Sequence, residues 1–247
     1  RHGGIEQHID TLTQGLATAG VEVEVLVTAN PAGWVRRSEV PIRSVGEWGR
    51  LQGAPVAPRL PLEMRRLQAD LLHFHMAHPT AELAYLMSGC PLPAVATYHH
   101  DIVRQAGALR VYRPFLRAFL RRMSSVVIGA PQHLESSAFL QEVAEHCRVI
   151  PYGIHLEQFE LTPEVQARAT AVRARHGEKL VLFVGKLRYY KGLDVLLHAM
   201  TRVDARLLVV GEGTEGESLR RLARELGLGD RVAWLGHVEE QERTALL

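Results

Sequence analysis

The residue types able to do chemistry are concentrated in a few glycine-bearing turns and one group of histidines. In VGKLRYYKGLDVLLHAM, 184–200, Gly185, Lys186, Arg188 and Lys191 crowd a short stretch between an apolar strand-like run and an apolar helix-like run. Three cations there suit a di- or triphosphate, because ionised donors make the strongest hydrogen bonds to anionic oxygen. The plain alternative is a solvated basic loop. In LLVVGEGTEGESL, 207–219, Gly211, Gly213 and Gly216 spell G-x-G-x-x-G. A dinucleotide site would need an acidic residue at the tip of the next strand. That strand, RVAWL, runs instead into Gly236, His237 and Val238, so NAD is not expected. A nucleotide approached by Gly213 and a tight turn packing helix on sheet both remain open.

Near the start, Gly3 and Gly4 precede a helical pattern whose first turn holds Glu6. Such a loop lets backbone amides at a helix start meet an anion, or it is an ordinary turn. His73, His75 and His78, then His99 and His100, lie at the carboxyl ends of two strand-like runs. His73 and His75 are two apart on a strand and share a face. No carboxylate with familiar ligand spacing accompanies them, so no metal is expected; a hydrogen-bonding histidine is. The stretch 105–123 carries Arg110, Arg113, Arg117, Arg121 and Arg122 among Leu, Phe and Val. It is a candidate for peripheral contact with anionic lipid, against the alternative of a surface helix burying its apolar side.

Positioning these residues requires alternating strands and helices. Ile5, Ile9, Leu12 and Leu16 predict a helix closed by Gly20, and 21–27 (VEVEVLV) predicts a strand. Residues 29–61 read as loop with short elements. Strands are expected at 70–76, 93–98, 125–129 and 147–150, with helices at 105–123 (interrupted or kinked near Pro114) and 133–142. After PYGIHLEQFELTP, 151–163, the pattern restarts: helix 163–176, strand 179–184, helix 191–202, strand 205–210, helix 215–227, strand 231–235 and a final helix begun at 239–247. This alternation predicts an α/β protein with two Rossmann-like parallel-sheet domains, 1–158 and 159–247, facing a cleft. Both ends read as cut: the glycine loop has no strand before it, and the second unit shows only three strands.

The chain has 247 residues, 47% of them hydrophobic, enough for sizeable cores. A net charge of +2 argues against a nucleic-acid partner. Cys90 and Cys147 stand far apart and outside any C-x-x-C pattern, which fits a reducing, cytoplasmic compartment. No apolar run is long enough to span a membrane, and no signal peptide is visible at this start.

Taken together, GGIEQHIDTLTQGLATAGVEVEVL, ATYHHDIVRQ, VIPYGIHLEQF, VLFVGKLRYYKGLDVLLHAM, LLVVGEG and VAWLGHV resemble, in order, glycosyltransferase family 4, retaining enzymes of the GT-B fold. The resemblance covers nearly the whole chain, and the pairing of VIPYGI with G-K-L-x-Y-Y-K-G is its most specific part. It implies that Gly3 and Gly4 form a loop facing the distal phosphate of a nucleotide-sugar donor and the acceptor. His99 would face the donor sugar, Gly185, Lys186 and Lys191 would bind the diphosphate, and Gly211, Gly213, His237 and Val238 would lie near the nucleoside base. Where Lys186 stands the family usually has arginine; lysine keeps the charge without the bidentate fork. The family's two glutamates, seven residues between them, fall beyond Leu247, so the chain as it stands is expected to be inactive.

By the same resemblance the reaction passes a sugar to a hydroxyl acceptor with retention of anomeric configuration. Lys186, Lys191 and helix amides would stabilise the departing nucleoside diphosphate without a metal or further cofactor, and the units would close by a hinge near 151–160. A glycan or lipid-linked acceptor at the cytoplasmic membrane face is the expected partner. A GT-B sugar-nucleotide 2-epimerase, needing paired carboxylates, and a non-catalytic nucleotide-sugar-binding subunit are the alternatives.

Overall fold

The computed structural model describes residues 4–37, 40–51, 53–101 and 106–247. The chain divides into two compact units, Arg1–Ile154 and His155–Leu247. Gly3 lies outside the described residues, as does the first residue expected of the helix at 105–123.

Unit 1 opens with α1 (Gly4–Thr18), which Gly20 ends at φ 84, as its spacing predicts. β1 (Val25–Thr28) is shorter than expected, and pairs in parallel with β3 (Val40–Val45). The stretch read as loop instead forms β2 (Gly33–Arg37), antiparallel to β3, the hairpin β4 (Gly49–Leu51) and β5 (Ala54–Val56), and α2 (Leu60–Arg65). Not every pairing is therefore parallel. These strands are short and carry Pro41, Pro55 and several arginines, so pairing rather than local preference makes them.

The main sheet of unit 1 runs β6 (Leu72–Met76), β7 (Ala94–Tyr98), β8 (Ser125–Ile128), β9 (Cys147–Val149), all parallel. Between β6 and β7 lies α3 (Pro79–Ser88), which the sequence reading lacked. Its start resembles a capping box, with the glutamate one position later than in that motif. His78 Nδ1 accepts from the Ala81 amide at 3.1 Å, and Glu82 accepts from the His78 amide at 2.7 Å. Pro79 at the first turn fits, because its missing N–H would have had no helical partner.

α4 (Ala106–Arg122) runs unbroken through Pro114. The proline is exposed, while Leu116, Phe119, Leu120 and Met123 bury the opposite side against Phe74 and Tyr85. Each fully buried side chain of this size contributes roughly 1.5–3 kcal/mol, enough to offset a lost helical hydrogen bond. The helix expected at 133–142 splits at Ser137, whose extended backbone separates α5 (Pro131–Ser136) from α6 (Ala138–Gln141).

Unit 2 begins with a single turn at Leu156–Phe159 and α7 (Pro163–His176), capped by Thr162. β10 (Leu180–Val184), β11 (Arg206–Val210) and β12 (Val232–Gly236) form a parallel sheet in that order. α8 (Leu193–Met200) and α9 (Gly216–Glu225) pack on it through Leu193, Leu197, Met200, Leu219 and Ala223. α10 (Glu240–Leu246) lies on α7, and the Thr244 hydroxyl donates to the Gln158 carbonyl at 2.8 Å.

Candidate functional site

In unit 2 the three parallel strands end at one edge, so the turns after them are neighbours. Backbone bonds stitch these turns together. The Gly185 amide donates to Val210 at 3.0 Å, the Leu187 amide to Glu212 at 3.0 Å, and the Gly211 amide to Gly236 at 2.7 Å. Gly185, Lys186, Lys191, Gly211, Gly213, His237 and Val238 are thereby gathered at one edge.

The glycines have a reason of their own to be there. A β-carbon on Gly211, at φ 130, would sit 2.0 Å from the Gly185 carbonyl oxygen, and one on Gly213 would sit 2.2 Å from that of Leu187. The glycine motif thus lets two loops pass each other, a use not foreseen in the sequence. β12 leads through Gly236 to the exposed His237.

Lys186, Arg188 and Lys191 are all exposed on this edge. Arg188 donates to the Thr214 hydroxyl at 3.3 Å, and the Lys191 ammonium lies 5.5 Å from the Tyr190 ring centre. Among the described residues none of the three forms an ion pair, and Asp194 and Glu212 stand in the neighbouring turns. Gly192 at φ 66 begins α8 without a side-chain cap of its own, and Asp194 stands in the same turn.

Unit 1 collects aromatic nitrogen and oxygen at the carboxyl ends of β6 and β7. His75 and Thr97 are register partners, and His99 follows β7 directly. His75 Nδ1 lies 3.1 Å from His99 Nε2, and His99 Nδ1 lies 2.8 Å from the Tyr152 hydroxyl. His73 Nε2 meets the Thr97 hydroxyl at 2.7 Å and its ring stacks on His75 at 4.6 Å. His8 from α1 closes the group, 4.2 Å from the Tyr152 ring, 5.5 Å from His99 and 5.8 Å from His75.

Burial, with the neighbouring imidazoles as a second cause, holds His75 down to about 3 and His99 to about 4, so both are neutral near pH 7. His8 and His73 are lowered for the same first reason. Burial raises the Tyr152 phenol.

Two of the five histidines singled out from sequence fall elsewhere. His78 is the cap of α3, with Nε2 3.4 Å from Thr28 Oγ1. His100 is exposed, with Nδ1 3.2 Å from the Asp101 carbonyl oxygen. Asp101 itself ties the loop down, accepting from Tyr98 and from Ser137. Gly4 starts α1, and among the described residues nothing lies within 4 Å of a β-carbon placed there.

His8 and Tyr152 were missed. His8 stands one helical turn beyond Gly4, on the face that could have been read toward the glycine loop. Tyr152 lies in VIPYGI, which the sequence marks as a linker and as part of the family resemblance without giving the tyrosine a role. Among the described residues no group of three His, Cys, Asp or Glu side chains could hold a metal ion.

The arginines of α4 are largely spent within the unit. Arg113 lies 5.4 Å from the Phe139 ring, Arg117 and Arg121 pair with Glu142 at 2.6 and 3.7 Å, and Arg122 lies 4.8 Å from the Tyr85 ring. The side chain of Arg110 lies outside the described residues. Among the described residues no helix is long and apolar enough to cross a membrane.

Two Rossmann-like units, one with a cationic strand-end edge and one with a neutral imidazole cluster, have the fold of the GT-B glycosyltransferases. Sucrose-phosphate synthase from Thermosynechococcus elongatus superposes with a TM-score of 0.76 at 22% identity, covering 99% of this chain and 67% of that one. HepE of Anabaena, solved with UDP and glucose, does so at 0.71 and 18% identity, covering 99% and 69%.

The chain belongs to Glycosyltransferase Family 4: residues 2–158 match that family, and residues 166–247 match Glycosyl transferases group 1. It is 32% identical to a D-rhamnosyltransferase, WbpZ, of Pseudomonas aeruginosa over 99% of its length. It is 30% identical to O-antigen chain mannosyltransferase C of Escherichia coli, again over 99%. The chain spans 65% and 66% of the length of these two relatives.

Proposed function

We propose that the protein transfers a sugar from a nucleoside-diphosphate donor to a hydroxyl of a glycan or lipid-linked acceptor, with retention. The observation that carries this is the cluster of exposed cations, Lys186, Arg188 and Lys191, at the carboxyl edge of a parallel sheet. Cleaving a sugar–phosphate bond leaves negative charge on the departing diphosphate. Preorganised cations there lower the barrier because they stabilise charge that grows only as the bond breaks. Lys191 and Lys186 are assigned to that diphosphate, with the backbone of Gly185 beside them. Gly211, Gly213, His237 and Val238 are assigned to the nucleoside end, and Gly3, Gly4 and His99 to the distal phosphate, acceptor and sugar. No resident cofactor is part of this reading.

The UDP and UDP-glucose named in the HepE structures support a nucleotide-sugar donor. The rhamnosyl- and mannosyltransferase names of the relatives support transfer over epimerisation, and the O-antigen name supports a polysaccharide acceptor. The location assigned with that chemistry is the cytoplasmic face of a membrane. On α4, Val111 and Phe115 are exposed and are the side chains assigned to lipid contact.

A thermal-shift screen of nucleoside diphosphates and their sugars tests the assignment. A donor should raise the melting temperature by mass action, and Lys191→Ala should abolish the rise. Binding unchanged by that substitution would remove the strand-end edge from the donor site.

A further inference from the structure

His99 has neither ring nitrogen to spare. A neutral imidazole has one donor and one acceptor nitrogen, and here Nε2 faces His75 Nδ1 at 3.1 Å while Nδ1 faces the Tyr152 hydroxyl at 2.8 Å. The ring centres of His75 and His99 are 5.4 Å apart with 18° between planes. Combined with the short N···N distance, that places the rings edge to edge, so the bond lies along the in-plane lone pair. His75 is fixed in turn by the face of His73 at 4.6 Å.

The other end of the chain is fixed as firmly. The Tyr152 ring packs against Gly129, where a β-carbon would meet it at 3.1–3.4 Å, and lies 4.2 Å from the ring of His8. Yet Tyr152 remains 38% exposed. Its hydroxyl has one donor and two acceptor positions, of which His99 takes one. It therefore keeps hydrogen-bonding capacity where His99 has none left.

We propose that the Tyr152 hydroxyl is the substrate-facing end of a His75–His99–Tyr152 hydrogen-bonded chain, so that His99, assigned above to the sugar, acts on it through Tyr152, with His75 positioning His99. The bonds must run in one direction throughout. Either Tyr152 donates to His99 and His99 to His75, leaving phenol lone pairs outward, or His75 donates to His99 and His99 to Tyr152, leaving the phenol proton outward. The same hydroxyl can thus accept from or donate to a sugar hydroxyl, with no charge created, because burial keeps both imidazoles neutral. This rests on the proposed transfer reaction for its substrate but not for the chain itself.

The test has two arms. Long-range nitrogen-15 NMR of the histidine rings reads tautomers without any substrate. Tyr152→Phe should change the tautomer balance of His99, as should His75→Leu, whereas His75→Asn, whose amide stands where Nδ1 stood, should restore it. In the full-length protein, Tyr152→Phe should lower kcat/KM about 10-fold, and Tyr152→Phe with His99→Ala should lose little more than the larger single loss.

Unchanged His99 tautomers in both Tyr152→Phe and His75→Leu would overturn the chain. An intact chain with kcat/KM falling in His99→Ala but within about 2-fold of wild type in Tyr152→Phe would overturn the phenol as the substrate-facing group. Failure of the donor assignment shows separately, as undiminished nucleotide binding by Lys191→Ala.

Discussion

Gly213 lies so close to Leu187 that a β-carbon on it would stand 2.2 Å from the Leu187 carbonyl oxygen. The contact locks the turn after β11 onto the turn after β10, which carries Lys186 and Lys191. Gly213→Ala should therefore destabilise unit 2 by about 1–3 kcal/mol, the scale of forced overpacking. Gly216→Ala, whose β-carbon would meet only Leu187 Cδ1 at 3.5 Å, should be neutral or slightly stabilising at its helix start. Urea denaturation of the two variants checks the contrast.

Lys191→Ala in the full-length protein should slow turnover by roughly 10²-fold or more, the scale of removing one preorganised charge contact. Lys191→Arg, which keeps the charge, should recover part of the loss. Steady-state kinetics decides, and a near-wild-type rate for the alanine variant would take Lys191 out of the reaction.

Stability should fall as the solution is acidified from pH 7 toward pH 4. His75 and His99 titrate near 3 and 4 in the folded chain against an ordinary 6.5, so below about pH 6.5 the unfolded chain binds protons that the folded chain does not. A depressed histidine therefore contributes stability at neutral pH that is lost progressively between the two values. A His75→Gln, His99→Gln variant should show a shallower fall, measured as the denaturation midpoint against pH.

Glu82 is 1% exposed and accepts hydrogen bonds from the Tyr112 hydroxyl and the His78 amide. Burial raises its carboxyl above the usual range. Glu82→Leu leaves both donors unpaired and should cost about 2–4 kcal/mol, whereas Glu82→Gln keeps an acceptor and should cost about 1 kcal/mol. Chemical denaturation of both variants separates the lost bonds from the lost charge.

Val111 and Phe115 face outward on α4 while Arg113, Arg117 and Arg122 are engaged inside the unit. Val111→Glu with Phe115→Glu should weaken co-sedimentation with vesicles containing anionic lipid and leave the melting temperature unchanged. Equal sedimentation by both proteins would remove α4 from membrane contact.

Much of the α/β pattern could be read directly. The helical spacing of Ile5, Ile9, Leu12 and Leu16, and buried runs such as LLVV before Gly211, are local signals that follow from how side chains alternate on a helix or strand. The cations and glycines after β10 and β11 were legible because strand ends of a parallel sheet fall at one edge whatever the loop detail.

The strands within 29–61 and the helix α3 were not legible. Short strands carrying proline and arginine take their conformation from a partner, and α3 is started by a histidine cap outside the usual cap residues.

The amino-acid order by itself settled which residues stand at strand ends and that charge collects after β10. Only the tertiary structure decided what those residues do to one another. It turned Gly211 and Gly213 into a passage for a neighbouring backbone, and it brought His8 and Tyr152, 144 positions apart, to 4.2 Å around His99. The reason is physical: periodicity records which way a side chain points, but a hydrogen bond between rings depends on distances set by packing of elements remote in sequence.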